Sequence, residues 1–224
     1  MSNMRTIRVT GKGQIKVKPD MTRITMSLEG ICPEYSESLR RSSEDTERLK
    51  ELMEGLGFAR SDLKTLNFSV DTEYETYKEK GAYKQRLAGY KYRHFMKVEF
   101  ASDNARLGKT LYALANSPLS PEFRISYTVK DQEAAKNELL GKAVTDAVQK
   151  AAVLTQAAGI ALKDIQSIDY SWGLINLEVS PMNQLRMACK CDADMMDEAG
   201  SYDMDIEPDD IEVSDTVTVV WEIG

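Results

Sequence analysis

The sequence holds a single histidine, His94, in 224 residues. That excludes metal centres built from several histidines, and it leaves a Ser-His-Asp type of nucleophile site only that one ring to use. Cysteine is nearly as scarce. Cys32, Cys189 and Cys191 are an odd set with no disulfide framework, which points to a reducing compartment. No apolar run approaches the roughly 18–20 residues a membrane helix needs, so no membrane span is expected. The opening MSNMRTIRVTG has neither the apolar stretch nor the small-residue cleavage site of a secretory signal, and the expectation is a cytoplasmic protein. There is also no excess of basic charge. The formal net charge is −7, which argues against whole-surface binding to nucleic acid or anionic lipid.

What is present is periodicity. Thr22, Ile24, Met26 and Leu28 alternate with polar residues, as a half-buried strand does. Leu39, Thr46, Leu49, Met53 and Leu56 then recur at helical spacing, with Gly57 where a C-terminal cap belongs. Leu66, Phe68, Val70, Thr72 and Tyr74 line one face of a strand. Tyr90, Tyr92, His94, Met96, Val98 and Phe100 line one face of the next, and together the two read as a long antiparallel hairpin. A short helix is predicted near 103–116, a strand around Phe123–Val129, and an alanine-rich helix over 131–158 carrying Ala143, Ala147, Ala151, Leu154 and Ala158. The last strand alternates Val217, Val219, Trp221 and Ile223. Residues 180–210 show no period and many acids, and read as a flexible acidic, methionine-rich loop.

One repeat orders these elements. GFARSDLKTLNFSV at 57–70 and GIALKDIQSIDYSW at 159–172 align without gaps at an offset of 102, and each joins the end of a long helix to a strand. The fold class that follows is α+β: two β-α-β-β units forming an antiparallel sheet with long helices on one face. The chain reads as a single domain over 1–224, with pseudo-repeat halves at about 5–100 and 103–224.

The segments IRVTGKGQIKVKPDMTRITMSLEG, DLKTLNFSVDTEY, GYKYRHFMKVEF and AVTDAVQKAAVLTQAAGIALKDIQSIDY together resemble the SIMPL domain family, named for a signalling molecule that associates with a mouse pelle-like kinase. The resemblance covers most of residues 5–172, and the final strand fits its ending. It implies an α+β domain that tends to oligomerise. Members include periplasmic or surface antigens that form ring- or channel-like oligomers, proteins annotated for oxidative-stress defence, and a kinase-binding adaptor. It brings no catalytic set, so no catalytic residue and no cofactor is expected. The chain differs from exported members in lacking a signal sequence, and its 180–210 segment is longer and more charged.

VTGKGQIKVKPD resembles a phosphate cradle, but strand patterning follows where a helix N-terminus is required, so Gly11 and Gly13 are expected to mark a bend or bulge. LGKT at 107–110 lies inside a helical pattern and is not a P-loop. Lys84, Arg86, Lys91, Arg93 and Lys97 mix with Tyr90, Tyr92 and Phe95 as in an RNA-binding sheet. Tyr90 and Tyr92, however, face away from the cations, and no nucleic-acid partner is expected. His94 on an inward face reads as a hydrogen-bonded core or interface residue. Cys189, Cys191, Asp192 and Asp194 are the candidates for a soft-metal or redox site. The C-x-C lacks a second cysteine pair and its acidic neighbours oppose thiolate formation, so the expectation is no metal. The leading reading is a non-enzymatic homo-oligomer that presents a surface to a protein partner, with a redox- or metal-responsive protein using Cys189 and Cys191 as the alternative and an RNA-binding sheet as a weaker one.

Overall fold

The computed structural model describes residues 5–79, 81–170, 175–180 and 206–224. The fold is mixed α+β. In chain order it runs β1 (Thr6–Val17), β2 (Met21–Cys32), α1 (Tyr35–Gly55), a 3-10 turn (Arg60–Asp62), β3 (Lys64–Glu79), β4 (Ala82–Ala101), α2 (Asn104–Ala115), β5 (Glu122–Thr128), α3 (Gln132–Ala158), β6 (Leu162–Asp169), β7 (Glu178–Val179) and β8 (Ile211–Ile223). The strands form two antiparallel sheets where one was expected, because β1 pairs with β8 instead of joining its sequence neighbours. The chain correspondingly divides into two compact units. One is built on the residues up to Asp20 with Thr128–Val179 and Asp209–Gly224, and the other on Met21–Tyr127.

In the first unit the order is β1-β8-β6. β1 and β8 stay in register from Thr6 opposite Glu222 to Val17 opposite Ile211, with no shift at Gly11 or Gly13. The expected bend is therefore not what these glycines provide. A Cβ on Gly11 would lie 2.0 Å from the Ala143 carbonyl oxygen, and one on Gly13 would lie 2.1 Å from that of Leu139. Both glycines are cleared for α3, which rests its backbone on the strand. Ala135, Leu139, Ala143, Ala147, Ala151 and Thr155 recur every fourth residue along the buried side of α3. The three later alanines form one core with Val9, Val217, Val219 and Trp221. The Asp146 carboxylate fastens the seam, accepting from the Lys12 backbone N–H at 2.7 Å and pairing with the Lys150 ammonium at 2.7 Å.

In the second unit β3, β4, β2 and β5 follow one another in the sheet. The β3–β4 hairpin has the expected pairing, but its register shifts between Thr65 and Asn67. The extra residue puts Thr65, opposite Met96, on the same face as Phe68, opposite His94, and removes Leu66 from the alternation. α1 covers β2 and β4, burying Ser38, Ser42, Leu49 and Met53. The two long helices end alike. Gly57 at φ +80° and Gly159 at φ +66° take the left-handed conformation, and Phe58 and Ile160 each donate a backbone N–H five residues back, to Met53 and Thr155. These are the matching joints of the sequence repeat.

Candidate functional site

Within the second unit, α1 leaves β3 partly uncovered and a groove of about 380 Å³ opens between them. Leu39, Thr46, Glu47 and Lys50 come from α1, Thr65 and Phe68 from β3, and His94 from β4. The imidazole is held at both nitrogens, with Nδ1 2.9 Å from Thr46 Oγ1 and Nε2 2.9 Å from Thr65 Oγ1. Proton counting assigns the direction of each bond. The Thr46 hydroxyl donates its one hydrogen to the Ser42 carbonyl at 2.7 Å, so it accepts from His94 Nδ1–H. In the neutral ring Nε2 then accepts from the Thr65 hydroxyl. Burial, seconded by the nearby Lys50 ammonium, pushes the His94 pKa down and favours this neutral form. Phe68 meets the ring edge-on at 5.3 Å, while Glu47 pairs with Lys50 at 2.9 Å and with Arg60 at the rim.

This relay ties α1 to β3 across β4. With a threonine on each ring nitrogen, the arrangement positions strands and lines a groove. His94 is thus a hydrogen-bonded residue at a partly open face, and its partners lie 29 and 48 positions away. The sequence did carry one signal for them: Thr46 stands in the apolar stripe of α1, where a hydroxyl needs a buried partner.

Deeper along the same helix, the Tyr92 hydroxyl donates to Asp45 Oδ2 at 2.5 Å and the Ser38 hydroxyl donates to the Tyr90 carbonyl at 2.6 Å. The Tyr92 pKa is pushed up, first by burial and then by the bond to Asp45. Cys32 is buried at the end of β2. Cys189, Cys191, Asp192 and Asp194 fall outside the described residues, as does most of the 180–210 segment. Among the described residues no cluster of three potential metal ligands occurs.

The basic strand is divided as its alternation requires. Tyr92 is buried under α1, while Lys91, Arg93 and Lys97 face the other side and pair with Glu29, Asp71 and Glu99 at 2.5, 3.5 and 3.1 Å. Leu107, Gly108 and Thr110 of the LGKT stretch are buried within α2. No described helix is long and apolar enough to cross a membrane.

The SIMPL family model, described as a protein of unknown function (DUF541), matches residues 7–221. The chain is also 24% identical over 163 residues to 26 kDa periplasmic immunogenic proteins of Brucella melitensis biotype 1 and Brucella abortus strain S19. The match covers 72% of this chain and 65% of each of those proteins, just under two thirds of their length. The expectation of a cytoplasmic protein is corrected by this finding, since both relatives are named as periplasmic. That expectation rested on the N-terminal residues and the cysteine count, neither of which determines compartment.

Proposed function

The chain belongs to the SIMPL family, whose molecular function is unknown, and from that premise we propose that it acts by association instead of catalysis, as a self-associating module that presents a surface to a protein partner. The observation that carries this reading is the state of the two sheet edges. Among the described residues, β3 stands at one end of its sheet and β6 at one end of the other. Leu66 and Phe68 on β3 are 53% and 43% exposed, and Ile165 and Ile168 on β6 are 49% and 51% exposed. Open edges with apolar side chains favour pairing with another chain. Leu66 and Ile168 are also equivalent positions of the repeat, so both copies of the motif offer the same feature. The Brucella relatives, named as periplasmic, support an exported setting for this role.

Light scattering over a wide concentration range tests the reading. A mass at a fixed multiple of the chain mass is expected. A monomer at every concentration overturns it.

A further inference from the structure

Resting on that self-association, we infer that the occupant of the β3 edge is β3 of a second copy, paired antiparallel about a two-fold axis at Phe68. The register shift at Leu66 makes this pairing possible. Lys64, Asn67, Ser69 and Asp71 stand opposite Lys97, Phe95, Arg93 and Lys91, and therefore share one face of the sheet. Thr65, Phe68 and Val70 stand opposite Met96, His94 and Tyr92, and share the other. Without the shift, Lys64 and Asp71, seven positions apart, would point to opposite faces.

With it, one register satisfies every position. Phe68 meets Phe68 of the second copy on the axis, and Asn67 meets Ser69. Thr65 meets Val70, and Lys64 meets Asp71. Each opposed pair lies on a common face, as antiparallel pairing demands. Leu66 is the unpaired bulge residue.

Charge selects the same register. Lys64 lies directly opposite Lys97, which is paired with Glu99, and Asp71 lies at the far end of the same face beside Arg93 at 3.5 Å, with Lys64 itself left to meet an acid across the edge. A two-fold pairing brings the Asp71 of each copy to the Lys64 of the other, giving two ion pairs. A bulge and a lysine ordinarily protect an edge from pairing; here they are self-complementary. An axis perpendicular to the sheet puts both α1 helices on one side. The two Phe68 rings then lie between them, and the grooves above His94 face each other. The edge so formed is a continuous sheet through two copies, with the backbone groups of residues 64–71 supplying the pairing.

The test uses the full chain with Cys189→Ser and Cys191→Ser, leaving only buried Cys32. Phe68→Cys in this background is oxidised under mild conditions. A covalent dimer, released by reductant, is expected for most of the protein, since the two Cβ atoms meet on the axis. Tyr83→Cys, at a position 77% exposed but off this register, serves as the control and is expected to cross-link little. In the otherwise unaltered chain, Lys64→Asp and Asp71→Lys are each expected to weaken self-association about tenfold, and the double reversal to restore it to within about threefold. A multimer indifferent to both reversals, or Phe68→Cys cross-linking no better than Tyr83→Cys, overturns the β3 pairing while leaving self-association standing. A monomeric parent protein overturns both.

Discussion

The two long helices sit on their sheets in different ways. α3 touches β1 backbone to backbone, through Gly11 and Gly13 on one side and alanines on the other. α1 stands over β2 and β4 on Leu49 and Met53, and is tied down by hydrogen bonds in which Ser38 donates to Tyr90 while Asp45 and Thr46 accept from Tyr92 and His94. The first seam is tight where the small residues meet, and a groove of about 440 Å³ lies beside it, lined by Val9, Asp146, Lys150, Val153 and Leu154. The second is polar and stops short of β3, which leaves the groove at His94. The repeated helix-to-strand joint thus leads in one unit to a helix seated directly on a strand backbone and in the other to a helix that stands off the edge strand. In both, the helix end and its glycine are the same.

The largest effect expected from disturbing this contrast is at the tight seam. Gly11→Val would drive side-chain atoms into the α3 backbone, and a loss of about 3–4 kcal/mol or more is expected in chemical denaturation. A near-parental midpoint would show that the helix does not rest on β1. Next is Ala143→Leu on the facing side, where overpacking should cost about 2–3 kcal/mol. The corresponding enlargement on α1, Ser43→Leu at the exposed groove margin, should stay within about 0.5 kcal/mol, and equal losses at both sites would erase the distinction.

At the polar seam, Tyr92→Phe removes the hydroxyl bound to Asp45 but leaves that carboxylate near Arg41 and Arg48, at 3.7 and 3.6 Å. A loss of about 1–1.5 kcal/mol is expected, and no loss would mean the hydroxyl is not a staple.

The smallest effect is a pH dependence. The folded-state pKa of His94 is depressed below its ordinary value of 6.5. As pH falls through that value the unfolded chain binds the proton first, so stability declines toward acid and is full above it. His94→Gln should flatten the decline between neutral and mildly acidic pH in thermal melts. An unchanged slope would assign it to carboxylates elsewhere.

Much of the architecture was legible because the periodicities are clean. The alternation at Thr22–Leu28, the alanine spacing of α3 and the repeated helix-to-strand joints each state a local structure that the fold keeps. Three features were not legible, for physical reasons. Gly11 and Gly13 look like a bend because a missing side chain signals either backbone freedom or close approach, and only the partner's position decides between them. Leu66 continues the alternation of Phe68 and Val70 on paper, and the bulge that displaces it depends on pairing with β4. The groove was hidden for a related reason: His94 was visible as a lone inward histidine, but its two threonines become neighbours only when the hairpin and α1 assemble.

The pairing of β1 with β8 also has a consequence for how the chain is made. Thr6 finds its partner at Glu222 and Val17 at Ile211, so β1 waits for β8. Met21–Tyr127 holds β2, β3, β4 and α1 in one continuous stretch, whereas the other unit closes only once β8 has been made. Until then β1 is an unpaired ribbon with two bare glycines, and loss of the final dozen residues would strand it in that state.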